Sequence, residues 1–178
     1  MRKVIKISAL ILFVFFHNSS FAQLKSAIVG VDGLTCSACS FATEKSILKL
    51  EFVDSVRMDL EKNIAFVYFK KDANVSLTNL AQKVVDAGFA VRSIFILVDL
   101  KEIKIVNDFC LPIGNDVYHF VKISNEVELN GLSTIRIIGD KFMSKKEFKN
   151  WKLLCASSCS NPISATVISS KTYYATLP

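Results

Sequence analysis

The sequence predicts an α+β protein. Its first half reads as a β-α-β-β-α-β sandwich, and its second half as a small mainly-β region, barrel- or sandwich-like, with one helix. Three observations lead there: β-type runs with alternating polarity, two helical stripes set between them, and a change of character after Val98 to short β-type runs parted by turn residues. The expected division is 1–22, 23–98 and 99–178.

The first segment reads "MRKVIKISALILFVFFHNSSFAQ". Arg2, Lys3 and Lys6 form a positive stretch, Ile7 to Phe16 an apolar core, and Ser20-Phe21-Ala22 a small-x-small cleavage site. That is the layout of a bacterial secretory signal peptide, and it places the mature chain, from about Gln23, in the periplasm or outside the cell. The apolar core is about half the roughly 20 residues a membrane-spanning helix needs. No later stretch is apolar enough to span, so no membrane span is expected after cleavage.

The next elements follow in order. "SAIVGV" (Ser26 to Val31) is a short β-type run. "SFATEKSILKL" (Ser40 to Leu50) spaces Phe41, Ile47, Leu48 and Leu50 as on one side of a helix. "FVDSVRMDL" (Phe52 to Leu60) alternates, the turn "EKN" follows, and "IAFVYF" (Ile64 to Phe69) completes a hairpin. "SLTNLAQKVVDAGF" (Ser76 to Phe89) is a helix with Ser76 as N-cap and Leu77, Leu80, Ala81, Val84 and Val85 as its buried stripe. Gly88 stands where helices stop, and "AVRSIFILV" (Ala90 to Val98) is the last strand. This order is the ferredoxin-like unit.

Beyond Val98 come "DLKEIKIVNDF", "VYHFVKI", "STIRIIG", "SATVIS" and "TYYATL", with "PIGND" and "NG" as turn signals between them. One helix interrupts: Ser144 and Glu147 make a capping box, and Phe148, Trp151 and Leu154 form a stripe.

Charge excludes one class of partner. The formal charge is +6, and loss of Arg2, Lys3 and Lys6 with residues 1–22 lowers it to +3. The remaining lysines are scattered, so no nucleic-acid footprint is present. Nor is there a phosphate loop, a paired set of carboxylates, or a serine with a neighbouring histidine, so the chain reads as a binding protein and not as an enzyme.

The chemistry lies in the five cysteines, Cys36, Cys39, Cys110, Cys155 and Cys159. In an exported protein the default for cysteine is the disulfide, and an odd count leaves one thiol over. "GLTCSAC" (Gly33 to Cys39) sets Cys36 in a loop and Cys39 in the first turn of a helix. Residues three apart share a side, and a helix N-terminus favours thiolate, so both sulfurs can face one ion. Soft thiolates suit Cu(I), Zn(II) or other thiophilic ions. Structural zinc normally takes four protein ligands, so a two-coordinate ion, Cu(I) or Hg(II), fits better. A disulfide and a redox dithiol remain alternatives. Against a thioredoxin-type dithiol, Thr35 precedes Cys36, the one Trp is Trp151, and the first Pro is Pro112.

"GLTCSAC" resembles the GMTCxxC signature of heavy-metal-associated domains, which occur in copper chaperones, copper-transporting ATPases and the periplasmic mercury-binding protein. The resemblance runs from about Lys25 to Val98, with Glu44-Lys45, Val53 and "DAGF" (Asp86 to Phe89) at matching places. It implies that Cys36 and Cys39 are the ligands, that Phe89 packs near them, and that the ion passes to a metal-transporting or metal-accepting protein. Leu34 stands in place of the usual Met, Thr43 in place of Ile or Val, and Phe52 in place of Gly. Thr43 and Phe52 are expected not to touch the ligands, and Phe52 to mark either an altered turn or contact with the second half.

The second half resembles no family. "CASSC" (Cys155 to Cys159) together with Cys110 makes a three-sulfur set. A Cys155–Cys159 or Cys110–Cys155 disulfide is the expected arrangement, with a second metal site on Cys110, Cys155 and Cys159 as the alternative. His119, in "VYHFVKI", reads as a packed strand residue, and Met143 and Trp151 as core. The role left for this half is partner docking or holding a second ion. A rival for the whole chain is a thiol–disulfide protein passing electrons from Cys36–Cys39 to Cys155–Cys159.

Overall fold

The computed structural model describes residues 22–161 and 171–178. The expected signal peptide, apart from Ala22, and the run at 164–169 lie outside the described residues. The strands are β1 (Gln23–Asp32), β2 (Val53–Asp59), β3 (Ile64–Phe69), β4 (Ala90–Ile105), β5 (Cys110–Ile113), β6 (Asp116–Phe120), β7 (Val127–Ile138) and β8 (Thr172–Thr176). The helices are α1 (Ser37–Ile47), α2 (Leu77–Asp86) and α3 (Lys145–Trp151), with a 3₁₀ turn at Leu154–Ala156.

All eight strands form one sheet in the order β2-β3-β1-β4-β7-β8-β6-β5. Every adjacent pair is antiparallel except β6 and β8, which run parallel. The first half has the expected β-α-β-β-α-β order. The second half is strand-rich with one helix, but it closes no barrel: its strands extend the first sheet. The joint is β4, whose 16 residues pair with β1 along one edge and with β7 along the other. Val98, the expected last residue of the first half, lies inside it.

Strand alternation builds the core. Ala27, Val29 and Val31 of β1, Ala65 and Val67 of β3, and Ile94, Ile96 and Val98 of β4 are all fully buried on the face that α1 and α2 cover. The register carries that face onward through Ile135 and Ile137 to Tyr173 and Ala175. There Phe142 packs edge-on to Tyr173, whose hydroxyl lies 3.5 Å from that of Thr78 on α2. α3 lies on the opposite face, where Glu147 Oε1 accepts from Arg136 Nη2 at 2.7 Å.

α2 begins as expected, with Ser76 Oγ accepting from the Asn79 N–H at 3.3 Å. It buries Leu77, Leu80, Ala81 and Val84, and each large aliphatic contributes roughly 1.5–3 kcal/mol of burial. Val85, expected in that stripe, is 53% exposed. It falls one position past the buried face of a helix that ends a residue later. Gly88, at φ +91°, makes the left-handed turn that starts β4.

α1 corrects the expected stripe. It starts at Ser37, because Cys36 is its N-cap, and that phase turns Phe41 (57% exposed) and Leu48 to solvent. The buried residues are Ser40, Thr43, Ser46 and Ile47. Each hydroxyl is satisfied by a carbonyl: Ser40 by Cys36, Thr43 by Cys39, and Ser46 by Lys83.

Two turn signals divide. "PIGND" makes the β5–β6 hairpin, and β5 itself, "CLPI", was not anticipated. "NG" does not turn: Asn130 and Gly131 lie within β7, opposite a bulge in β4 between Leu100 and Ile103.

Candidate metal centre

β1 ends at Asp32, and the chain crosses from sheet to helix through residues 33–36. The crossing is anchored. The Val31 N–H donates to the Asn63 carbonyl oxygen at 3.0 Å, and Arg92 Nη2 donates to the carbonyls of Lys62 and Asn63 at 2.9 and 3.3 Å. Arg92 also faces Asp32, 3.6 Å away. Gly33 turns the chain at φ +93°, and a Cβ placed there would lie 3.5 Å from the Phe89 ring. Leu34 is buried in the core, as an apolar replacement for Met requires.

Cys36 caps α1, its Sγ accepting from the Cys39 N–H at 3.3 Å. The two Sγ atoms are 2.7 Å apart and unbonded; Cys36 is exposed and Cys39 half-buried. Metal–sulfur bonds of about 2.3 Å require the pair to open for an ion to enter, which exposed Cys36 can do by side-chain rotation. The Cys36 side chain beside it holds the Cys39 thiol below its ordinary range, outweighing partial burial, with help from Thr35. Among the described residues no third Cys, His, Asp or Glu joins the two sulfurs in a cluster.

Thr43 does touch the centre, contrary to expectation: its Oγ1 donates to the Cys39 carbonyl oxygen at 3.1 Å. The sign of it in the sequence is its place four residues after Cys39, the spacing at which threonine bonds back along a helix. Phe52 packs instead on Phe69, rings 6.0 Å apart, within the first half. Phe89 lies against Gly33 and packs on the core. Beside it a groove of about 530 Å³ is lined from both halves, by Gln82 and Val85 of α2, by Asp140, Lys141 and Met143 of the β7–α3 connection and by Lys145 of α3.

The other three cysteines pair differently from either expectation. Cys110 and Cys159 form a disulfide, with Cα atoms 5.6 Å apart, and Cys155 is free. Cys110 sits on β5 at the sheet edge, and the segment after α3 brings Cys159 to it, while the 3₁₀ turn at Leu154–Ala156 holds Cys155 elsewhere. Burial pushes the Cys155 thiol up. The three-sulfur set is thus not assembled. In its place, His119 joins Cys110 and Cys159, their ligand atoms all within 4.8 Å of one another. His119 is a packed strand residue, 2% exposed, its ring tilted against that of Tyr174. Met143 is core, whereas Trp151 is half-buried beneath the Lys122 ammonium.

The disulfide and the Cys36–Cys39 pair stand at opposite ends of a strand series, β1-β4-β7-β8-β6-β5. The series curls back on itself: the Gly114 N–H of the β5–β6 turn donates to the Ala22 carbonyl oxygen at 3.3 Å, at the end of β1 remote from Asp32 and the Cys36–Cys39 loop.

Comparison with known proteins gives matches in the first half. The heavy-metal-associated domain family matches residues 28–90. The mercuric transport protein periplasmic component of Serratia marcescens is 37% identical over 68 residues, which are 38% of this chain and 74% of that protein. The copper chaperone CopZ of Staphylococcus haemolyticus (strain JCSC1435) is 31% identical over 65 residues, 36% of this chain and 94% of that protein. Among solved structures, oxidized MerP from Ralstonia metallidurans CH34 is 36% identical, covers 38% of this chain and 96% of its own, and superposes with a TM-score of 0.35. The C-terminal half matches no family.

Proposed function

We propose that this chain, which belongs to the heavy-metal-associated domain family through residues 28–90, is an exported carrier of one soft ion, held by Cys36 and Cys39 and passed on by ligand exchange. The observation that carries the reading is the dithiol itself: two unbonded sulfurs at a helix N-cap, with no third ligand clustered on them among the described residues. Two thiolates satisfy Cu(I) and leave room for a third, so a partner's thiolate attacks, a shared three-coordinate ion forms, and one of the original sulfurs lets go. The ion changes ligands and keeps its oxidation state. Phe89 screens the loop side of the centre from water.

Cu(I) is the first assignment. Hg(II) is the second reading, favoured by the identity with a mercuric transport component. Zn(II) is disfavoured by the small ligand set. Export rests on the layout of residues 1–22 and agrees with the periplasmic relative. No described helix is long and apolar enough to cross a membrane.

The test is a competitive titration of the reduced mature chain with Cu(I) against a chelator, in parallel with Hg(II). Wild type is expected to hold one Cu(I) through this pair, and Cys36→Ser with Cys39→Ser to lose it. Failure to compete for either ion, with turnover in a disulfide-exchange assay, would overturn the carrier reading in favour of a redox dithiol.

A further inference from the structure

We propose that Cys110, Cys159 and His119 form a second site for a soft ion, closed while the two cysteines are a disulfide and open once that bond is reduced. The inference stands apart from the reading of Cys36–Cys39. It starts from the unusual company of the disulfide: a histidine only 2% exposed whose ligand atom lies within 4.8 Å of both sulfurs. A purely structural cross-link has no need of a buried imidazole. Two sulfurs and one nitrogen are a set that suits a soft three-coordinate ion such as Cu(I).

The site is built to survive loss of its covalent bond. The Cys110 N–H donates to Asn161 Oδ1 at 2.7 Å, and Asn161 Nδ2 donates back to the Cys110 carbonyl oxygen at 3.0 Å. The Ser160 N–H donates to the Asp108 carbonyl oxygen at 2.7 Å, and the Ser157 hydroxyl donates to the Asp108 carboxylate. These four hydrogen bonds hold residues 157–161 against β5 and the turn before it without the disulfide, so both thiols stay beside the histidine. The ring is oriented as well: Asp108 Oδ1 is 3.2 Å from His119 Nε2, and the Tyr174 ring packs on it in a tilted arrangement, centroids 5.2 Å apart. A carboxylate on one nitrogen is how proteins aim an imidazole at metal through the other.

The opening step balances with a dithiol as reductant. One thiolate of the dithiol attacks Sγ of Cys159, the less buried partner, forming a mixed disulfide and releasing Cys110 as thiolate. The second thiol of the reductant then displaces Cys159 and closes its own disulfide. Two electrons and two protons pass to the cysteines. Binding of Cu(I) then releases both protons to solvent as two Cu–S bonds form.

The experiment uses the full mature chain carrying Cys36→Ser and Cys39→Ser, with Cu(I) alone as probe and a competing chelator, under anaerobic conditions. The oxidised protein is expected to bind none. After reduction by a phosphine and its removal, it is expected to bind one ion per chain, with near-ultraviolet circular dichroism still native and X-ray absorption at the copper edge showing two sulfurs and one nitrogen. Adding Asp108→Asn should weaken binding by about 10- to 100-fold. Cys159→Ser should abolish it, and Cys155→Ser should leave it unchanged. No binding after reduction, unfolding on reduction, copper with sulfur neighbours only, or binding that depends on Cys155 would each overturn the proposal.

Discussion

Ser46 and Lys83 tie the two first-half helices together: the Ser46 hydroxyl, 9% exposed, donates to the Lys83 carbonyl oxygen at 2.7 Å. Ser46→Ala should therefore cost about 1 kcal/mol in urea unfolding, the usual net worth of such a bond. An unchanged unfolding midpoint would mean that the contact is dispensable. The Lys83 carbonyl keeps its bond from the Ala87 N–H, so nothing buried is left wholly unpaired and the loss should not be larger.

Thiol chemistry should separate the free cysteines. With its titration lowered by Cys36, Cys39 carries more thiolate at neutral pH than an ordinary cysteine, whereas burial keeps Cys155 protonated. Alkylation of the reduced apo chain at pH 7, followed by peptide mass spectrometry, should mark Cys39 well before Cys155. Cys36→Ala removes the main cause and should slow labelling of Cys39. Equal rates at the two positions would count against the local geometry at the cap.

Phe89 offers a functional counterpart. Its ring lies against Gly33, next to the Cys36–Cys39 loop, and half-buried on the core. Phe89→Ala should lower stability by roughly 1–2 kcal/mol, less than a fully buried aromatic costs. It should also speed transfer of Cu(I) to a chelator several-fold in stopped-flow, because water gains access to the sulfurs. A normal transfer rate in a folded variant would remove Phe89 from the centre.

Asp116 should reveal a pH effect of the opposite sign from most carboxylates. Burial raises its titration, although the Lys171 N–H donates to Oδ1 at 3.0 Å. The folded chain then holds this proton more tightly than the unfolded chain. Stability contributed by the group is present at low pH and is lost as pH rises from the ordinary aspartate range through the folded value. Asp116→Asn keeps the acceptor oxygen without the charge, so it should raise Tm at pH 7, with the gain fading as pH is lowered below about 4. A Tm at pH 7 below that of wild type would reverse the assignment.

The first half was legible because its signals are local. Ser76 caps, Gly88 stops, and Leu77, Leu80 and Val84 recur at helical spacing within ten residues. The buried face of α1 was misread because Ser40, Thr43 and Ser46 look polar to any periodicity count. They pack tightly only because carbonyls nearby take their hydroxyls. β5 escaped notice as four residues with Pro112 among them, a composition tolerated at a sheet edge and rarely elsewhere. Least legible was the Cys110–Cys159 bond. Its partners are 49 residues apart, and their meeting depends on α3 and the following segment crossing the open face of the sheet, which no spacing rule encodes. The placing of Cys36 and Cys39 at the head of α1 needed only Gly33, a helix start and two cysteines, so that geometry could be read directly.

The double pairing of β4 bears on how any other protein can approach the ion. A free-standing four-stranded unit with the order β2-β3-β1-β4 would present the backbone N–H and C=O groups of β4 as a bare margin, open to an incoming strand from a second molecule. Here β7 occupies that margin from Ile94 to Ile105. The nearest bare margin left to the first half is β2, on the far side of β3 and β1 from β4. Recognition by strand addition beside α2 is thereby closed off. On the carrier function proposed above, an acceptor would meet the loop end-on, over Cys36 and the α1 surface around Phe41, where side chains and not main-chain ladders decide who docks.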